Sequence, residues 1–121
     1  MPVSYDFEGD ILALRLVGEY GPAEIRAALV AALAERGSEV AGLLADLRSS
    51  ESIQDRTLGE LTAIMGFLAY HAASYGNRIA ILASTEDARE RARFGIVDLA
   101  ASGVITGIFP TVDDATSWLR T

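Results

Sequence analysis

Val40 to Leu47 is apolar without a break except at Asp46, and Arg78 to Ala83 is a second short strand-like run of the same kind. A strand with one face in water alternates apolar and polar side chains. A strand that is apolar throughout needs cover on both faces, as the inner strands of a parallel sheet have. Parallel strands in turn need long crossovers, usually helices. Residues 56 to 75, between the two runs, predict the longest helix in the chain. This feature confines the sequence to an α/β fold with helices packed on the sheet.

The remaining elements fall into place around that pair. Val3, Tyr5 and Phe7 alternate with polar residues, Glu8-Gly9-Asp10 turns the chain, and Leu12, Leu14 and Leu16 share one face of a second strand, which predicts a β-hairpin. Pro22 opens a helix whose stripe is Ile25, Ala28, Leu29, Ala32 and Leu33. A polar loop is expected from Arg48 to about Asp55. Ser84-Thr85-Glu86-Asp87 reads as a helix start, for a helix running to about Ala101. Val104 to Phe109 is the last strand. Thr111 with Asp114 three residues on predicts a cap for a terminal helix that buries Ala115, Trp118 and Leu119, with Trp118 largely covered. The order β-β-α-β-α-β-α-β-α implies a mixed, mostly parallel sheet, an N-terminal hairpin and four helices, joined by right-handed crossovers.

At 121 residues, half of them apolar, the chain suits one domain with a sizeable core over residues 1–121. Absence of cysteine removes disulfides, thiol nucleophiles and cysteine zinc sites from consideration. Absence of lysine removes the phosphate-loop lysine and Schiff-base chemistry. A net charge of −7 argues against a nucleic-acid partner. The only basic cluster, Arg89, Arg91 and Arg93, is interleaved with acids at helical spacings and reads as a solvated face. Residues 1–6 have neither a basic nor a long apolar stretch, so a cytoplasmic home is expected.

Several stretches together resemble the STAS (anti-anti-sigma factor) superfamily, in its SpoIIAA-like bacterial branch. They are the opening hairpin with Gly18-Glu19, the strand Leu43-Leu44-Ala45-Asp46-Leu47-Arg48, the strand Arg78-Ile79-Ala80-Ile81-Leu82, and the ending Ile108-Phe109-Pro110-Thr111 to Trp118-Leu119. The resemblance implies a non-catalytic regulatory or protein-interaction domain with a protein partner. Anti-anti-sigma proteins carry a phosphorylated serine in an Asp-Ser-Ser-Gly-Leu type motif after the third strand. The nearest stretch here, Asp55-Arg56-Thr57-Leu58-Gly59, lacks both serines and leaves Thr57 as the hydroxyl offered for phosphorylation. Asp55 or Thr57 as a plain helix cap is the structural alternative.

No serine-nucleophile elbow, phosphate loop or His-Glu-x-x-His motif occurs, so no enzyme activity, metal or cofactor is expected. His71, the single histidine, has no neighbouring histidine or cysteine and reads as structural. Any ligand or partner loop belongs beyond the carboxyl ends of the parallel strands, at Asp46, Arg48, Ser49, Ser50, Ser84 and Thr85. Asp46, an acid ending an apolar strand, is either part of such a site or paired with Arg48.

The long helix is unusually apolar, with no formal charge from Leu61 to Asn77. A stripe of Leu58, Leu61, Met65, Leu68, Ala72 and Tyr75 is expected to face the sheet, leaving Ala63, Phe67 and Tyr70 outward. Polar interruptions at Thr62, Gly66, His71 and Ser74 make a membrane span a poor explanation. A homodimer interface through Ala63, Phe67 and Tyr70 is the leading reading. A docking face for another protein, a lid over an apolar or lipid-like ligand, and packing against a neighbouring helix within the monomer are its alternatives.

Overall fold

The computed structural model describes residues 3–18, 20–36, 40–50, 58–101 and 103–120. Its strands are β1 (Val3–Glu8), β2 (Ile11–Gly18), β3 (Gly42–Ser50), β4 (Arg78–Leu82) and β5 (Ile105–Phe109). The helices among these residues are α1 (Pro22–Arg36), α2 (Leu58–Tyr70), α3 (Glu86–Ala101) and α4 (Val112–Leu119). The sheet has the spatial order β1-β2-β3-β4-β5, with β1 antiparallel to β2 and every later pair parallel. The chain is thus α/β with a five-stranded mixed sheet, and the two continuous apolar runs are inner strands.

Alternation along the strands divides the core into two layers. Leu12, Leu14, Leu43, Ile79 and Ile81 belong to the larger one. There α1 packs on β1 and β2, α3 packs on β5, and α2 lies against both α1 and α3. Ile11, Leu44, Ala80 and Leu82 belong to the smaller layer, under Ala115 and Leu119 of α4, which crosses β3, β4 and β5. Leu43 and its neighbour Leu44 are both buried, on opposite faces. That is the physical content of the unbroken apolar run. On β1, which bears a helix on one face only, Tyr5 and Phe7 pack inward while Ser4, Asp6 and Glu8 are exposed.

Two local features differ from the sequence expectation. Strand β3 continues through Ser49 and Ser50, where a loop was expected, because β2 extends far enough to pair Val17 with Ser49 and Gly18 with Ser50. Helix α2 ends at Tyr70, and Ala72–Tyr75 is a tighter 3-10 turn closed by Gly76 at φ 68°. Trp118 is largely covered, as expected, though not fully buried, and packs against the smaller layer. Its ring lies 5.3 Å from that of Phe109, and the Arg78 guanidinium sits 4.5 Å from its centroid. Helix starts follow the expected chemistry: Thr111 Oγ1 accepts from the Asp114 N–H at 3.2 Å, and Thr85 Oγ1 from the Ala88 N–H at 3.1 Å.

Candidate functional site

The carboxyl ends of β3, β4 and β5 lie at one end of the sheet, with α3 and α4 starting beside them. Asp46 sits there on the α4 side, in register with Arg15 of β2 and Leu82 of β4. One extra residue of β3 lies between the pairs Arg15–Asp46 and Val17–Ser49, which makes a β-bulge at Leu47-Arg48. Bulges redirect side chains. Here the Arg48 guanidinium turns back onto the Asp46 carboxylate.

The pair is closely fitted. Arg48 Nε donates to Asp46 Oδ1 at 3.0 Å, Nη2 to Oδ2 at 2.9 Å, and the Arg48 backbone N–H to Oδ1 at 3.0 Å. Burial by itself pushes the Asp46 carboxyl up. The Arg48 side chain and backbone N–H, with the Arg15 charge beyond them, outweigh it and hold the group below its ordinary value. The acid ending the apolar strand is therefore an ionised member of a fork-like ion pair. Ser49 is exposed beside it. Ser84 lies two residues past Leu82, the β4 partner of Asp46, and is also exposed. Thr85 spends its hydroxyl on capping α3, and Arg89 Nη1 fastens the same helix to the Ala83 carbonyl at 3.2 Å. Ser50 pairs through its backbone with Gly18. Thr57 lies outside the described residues.

On α2, Ala63 and Tyr70 face outward as expected, and Tyr70 is 84% exposed. Phe67 does not. It is half-buried and packed against the larger core layer, with the Arg26 guanidinium of α1 5.5 Å from its ring centroid. Phe67 lies three residues after the buried Ile64 and one before the buried Leu68, so it shares their flank of the helix and turns toward α1. His71 lies tilted against the Phe67 ring at 4.7 Å and edge-on to that of Tyr70 at 4.9 Å. On the inner side, Ile64, Leu68, Ala72 and Tyr75 are buried, and the Tyr75 hydroxyl donates to the Leu68 carbonyl. Burial pushes that hydroxyl far above its ordinary range.

Uncovered apolar side chains besides Tyr70, namely Val17, Val30 and Ile105, do not follow from the sequence pattern. Ile105, at the start of β5, is 57% exposed. Its signal was the position of β5 as the last strand of the sheet, which periodicity within the strand cannot reveal. Among the described residues, no helix is long and apolar enough to cross a membrane, and no His, Asp and Glu side chains cluster to hold a metal. Comparison of the chain with family models, with curated proteins and with solved structures finds no match.

Proposed function

We propose that this chain is a non-catalytic regulatory or protein-interaction domain of the SpoIIAA-like type, working in the cytoplasm and associating with itself. Its topology is compatible with that family: a hairpin opening a parallel sheet, and a short helix closing it. The observation that carries the reading is the apolar surface the fold leaves uncovered. Among the described residues Tyr70 and Ile105 are the most exposed large apolar side chains, 84% and 57%, with Val17 and Val30 uncovered to a lesser degree. Large apolar side chains left uncovered are candidate points of contact with another chain. Asp46 supports the same reading. A carboxylate held ionised by Arg48 is suited to fastening a strand end and not to moving protons near neutral pH.

Carriage of an apolar ligand beneath α2 is the competing idea. The inner side of α2 favours the interaction reading, because Ile64 and Leu68 are packed into the core and Tyr75 is bonded back to the Leu68 carbonyl. A helix seated in this way serves as core more readily than as a lid. Native mass spectrometry of the purified protein tests both ideas. A dimer of unmodified chains is expected. A monomer that retains the mass of an acyl-chain compound would contradict the proposal and establish the carrier.

A further inference from the structure

The sheet treats its two edges differently. At the β1 edge, Asp6 and Glu8 are exposed, and the Phe7 N–H is taken up by Asp6 Oδ1 at 2.8 Å. Charge on an edge strand and a backbone donor already spent are the usual means of preventing strand addition. At the other edge, β5 reads Ile-Thr-Gly-Ile-Phe, with no charge and no proline. Its ladder with β4 runs from Ile105 to Phe109 without a register shift. Only one edge is guarded.

The hydrogen bonds fix which β5 groups are free to pair. The Ile105 N–H donates to the Asn77 carbonyl at 2.8 Å, and the Phe109 carbonyl accepts from the Ala83 N–H at 3.0 Å. Both bonds point inward, toward the β4 side. Backbone groups alternate along a strand, so Gly107 also points inward, while Thr106 and Ile108 direct their N–H and C=O groups away from the sheet.

We infer that β5 pairs antiparallel with β5 of a second copy about a two-fold axis through Gly107, joining two sheets into one. This rests on the self-association proposed above and names its interface. Two properties favour a second copy over an unrelated strand. First, the pattern is self-complementary: Thr106 of one copy faces Ile108 of the other, and each pair exchanges both backbone bonds. The two Gly107 residues then meet at the closely spaced position between these pairs, where a missing side chain eases approach. Second, a two-fold perpendicular to the sheet keeps each face continuous, so the exposed Ile105 lies opposite the mate's Phe109. An aromatic set against a β-branched side chain is a favourable cross-strand pair. Pro110 lacks an N–H and ends the ladder. The interface is isologous, the commonest kind. By contrast, the outer face of α2 presents Tyr70 among Ala63 and Gly66, with Phe67 turned aside against the core.

Sedimentation velocity at micromolar concentration, on wild type and three variants, tests the inference. Ile105→Lys puts a charge on the edge where the monomer has space. It also lowers the magnitude of the net charge, so dissociation cannot come from added repulsion between copies. Thr106→Pro removes an outward N–H that the monomer does not use. Tyr70→Glu disrupts the exposed apolar surface of α2. The expected result is a dimeric wild type, a dimeric Tyr70→Glu, and monomers for Ile105→Lys and Thr106→Pro with native circular dichroism. If Thr106→Pro fails to fold, Ile105→Lys decides. Wild type and Ile105→Lys both dimeric would overturn the β5 interface while leaving self-association standing. A monomeric wild type would overturn both.

Discussion

The ring of Phe109 occupies the space that a side chain on Gly107 would need. A Cβ built on Gly107 would stand 2.7 Å from Cε2 and 2.8 Å from Cζ of that ring. The ring is itself held against Trp118. Gly107→Ala should therefore displace Phe109 and loosen α4, at a cost of about 1–3 kcal/mol, the range for overpacking a well-filled site. Trp118 is the only tryptophan, so its fluorescence in a denaturant titration reports this transition directly. An unchanged midpoint would show that the ring moves aside freely.

Removing the other partner of that contact should cost more. Trp118→Ala deletes the aromatic surface shared with Phe109 and Arg78. Because Trp118 is largely but not fully buried, the loss should fall at about 3 kcal/mol, the low end for large aromatic truncations. Circular dichroism melts would measure it. A melt superimposable on wild type would mean that α4 is held by Ala115 and Leu119 alone.

Asp46 should give stability a component that depends on acid. Its folded carboxyl is held below the ordinary value, so the stabilisation is fully present above about pH 4 and is lost as pH falls through the folded value. The Arg48 side chain is 45% exposed and its partner 15%, so solvent screens the pair and its worth is about 1 kcal/mol at most. Asp46→Asn should lower stability by that amount at pH 7 and flatten the decline of the denaturation midpoint between pH 5 and pH 3. An equal slope in the two proteins would place the acid sensitivity elsewhere.

The sequence made the layered architecture legible for a clear reason. Burial on both faces of β3 and β4 leaves no polar position to satisfy, and Leu43, Leu44, Ile79 and Ala80 record this directly. The Asp46–Arg48 pair was legible as one of two alternatives, since two residues on one strand reach each other only when the backbone bends, as it does at the bulge. A stripe drawn through Leu61, Met65 and Leu68 leaves out Ile64, which is buried, so the inner face of α2 reaches round to the flank that Phe67 shares with Ile64 and Leu68. Cover there comes from α1, a contact between helices that the periodicity of one helix does not encode. The end of β3 was missed because its pairing partner, and not its own composition, carries the strand through Ser49 and Ser50. The exposed β5 edge depends on strand order across the whole sheet, and no local pattern encodes that.

Gly76 offers a test of how the sheet is closed at the opposite end from Asp46. Its φ is 68°, and a Cβ there would approach the Ala41 carbonyl oxygen to 2.6 Å. Both the left-handed backbone and the backbone contact oppose a side chain. Gly76→Ala should cost at least about 2 kcal/mol. Chemical denaturation measures the loss, and a variant as stable as wild type would mean that β3 and the 3-10 turn shift apart without cost.

Residue-resolved amide exchange along β5 tests the central claim most directly, because the two states of this strand differ in alternate residues. In either state Ile105, Gly107 and Phe109 direct their N–H groups toward β4 and are protected. The N–H groups of Thr106 and Ile108 are protected only if a second strand is paired to the edge. At the submillimolar concentrations used for nuclear magnetic resonance, we expect all of these amides to exchange slowly, with Thr106 and Ile108 alone released on dilution. Free-peptide exchange at Thr106 and Ile108 at high concentration, with Ile105, Gly107 and Phe109 still protected, is the pattern of an unpaired edge and would contradict the account.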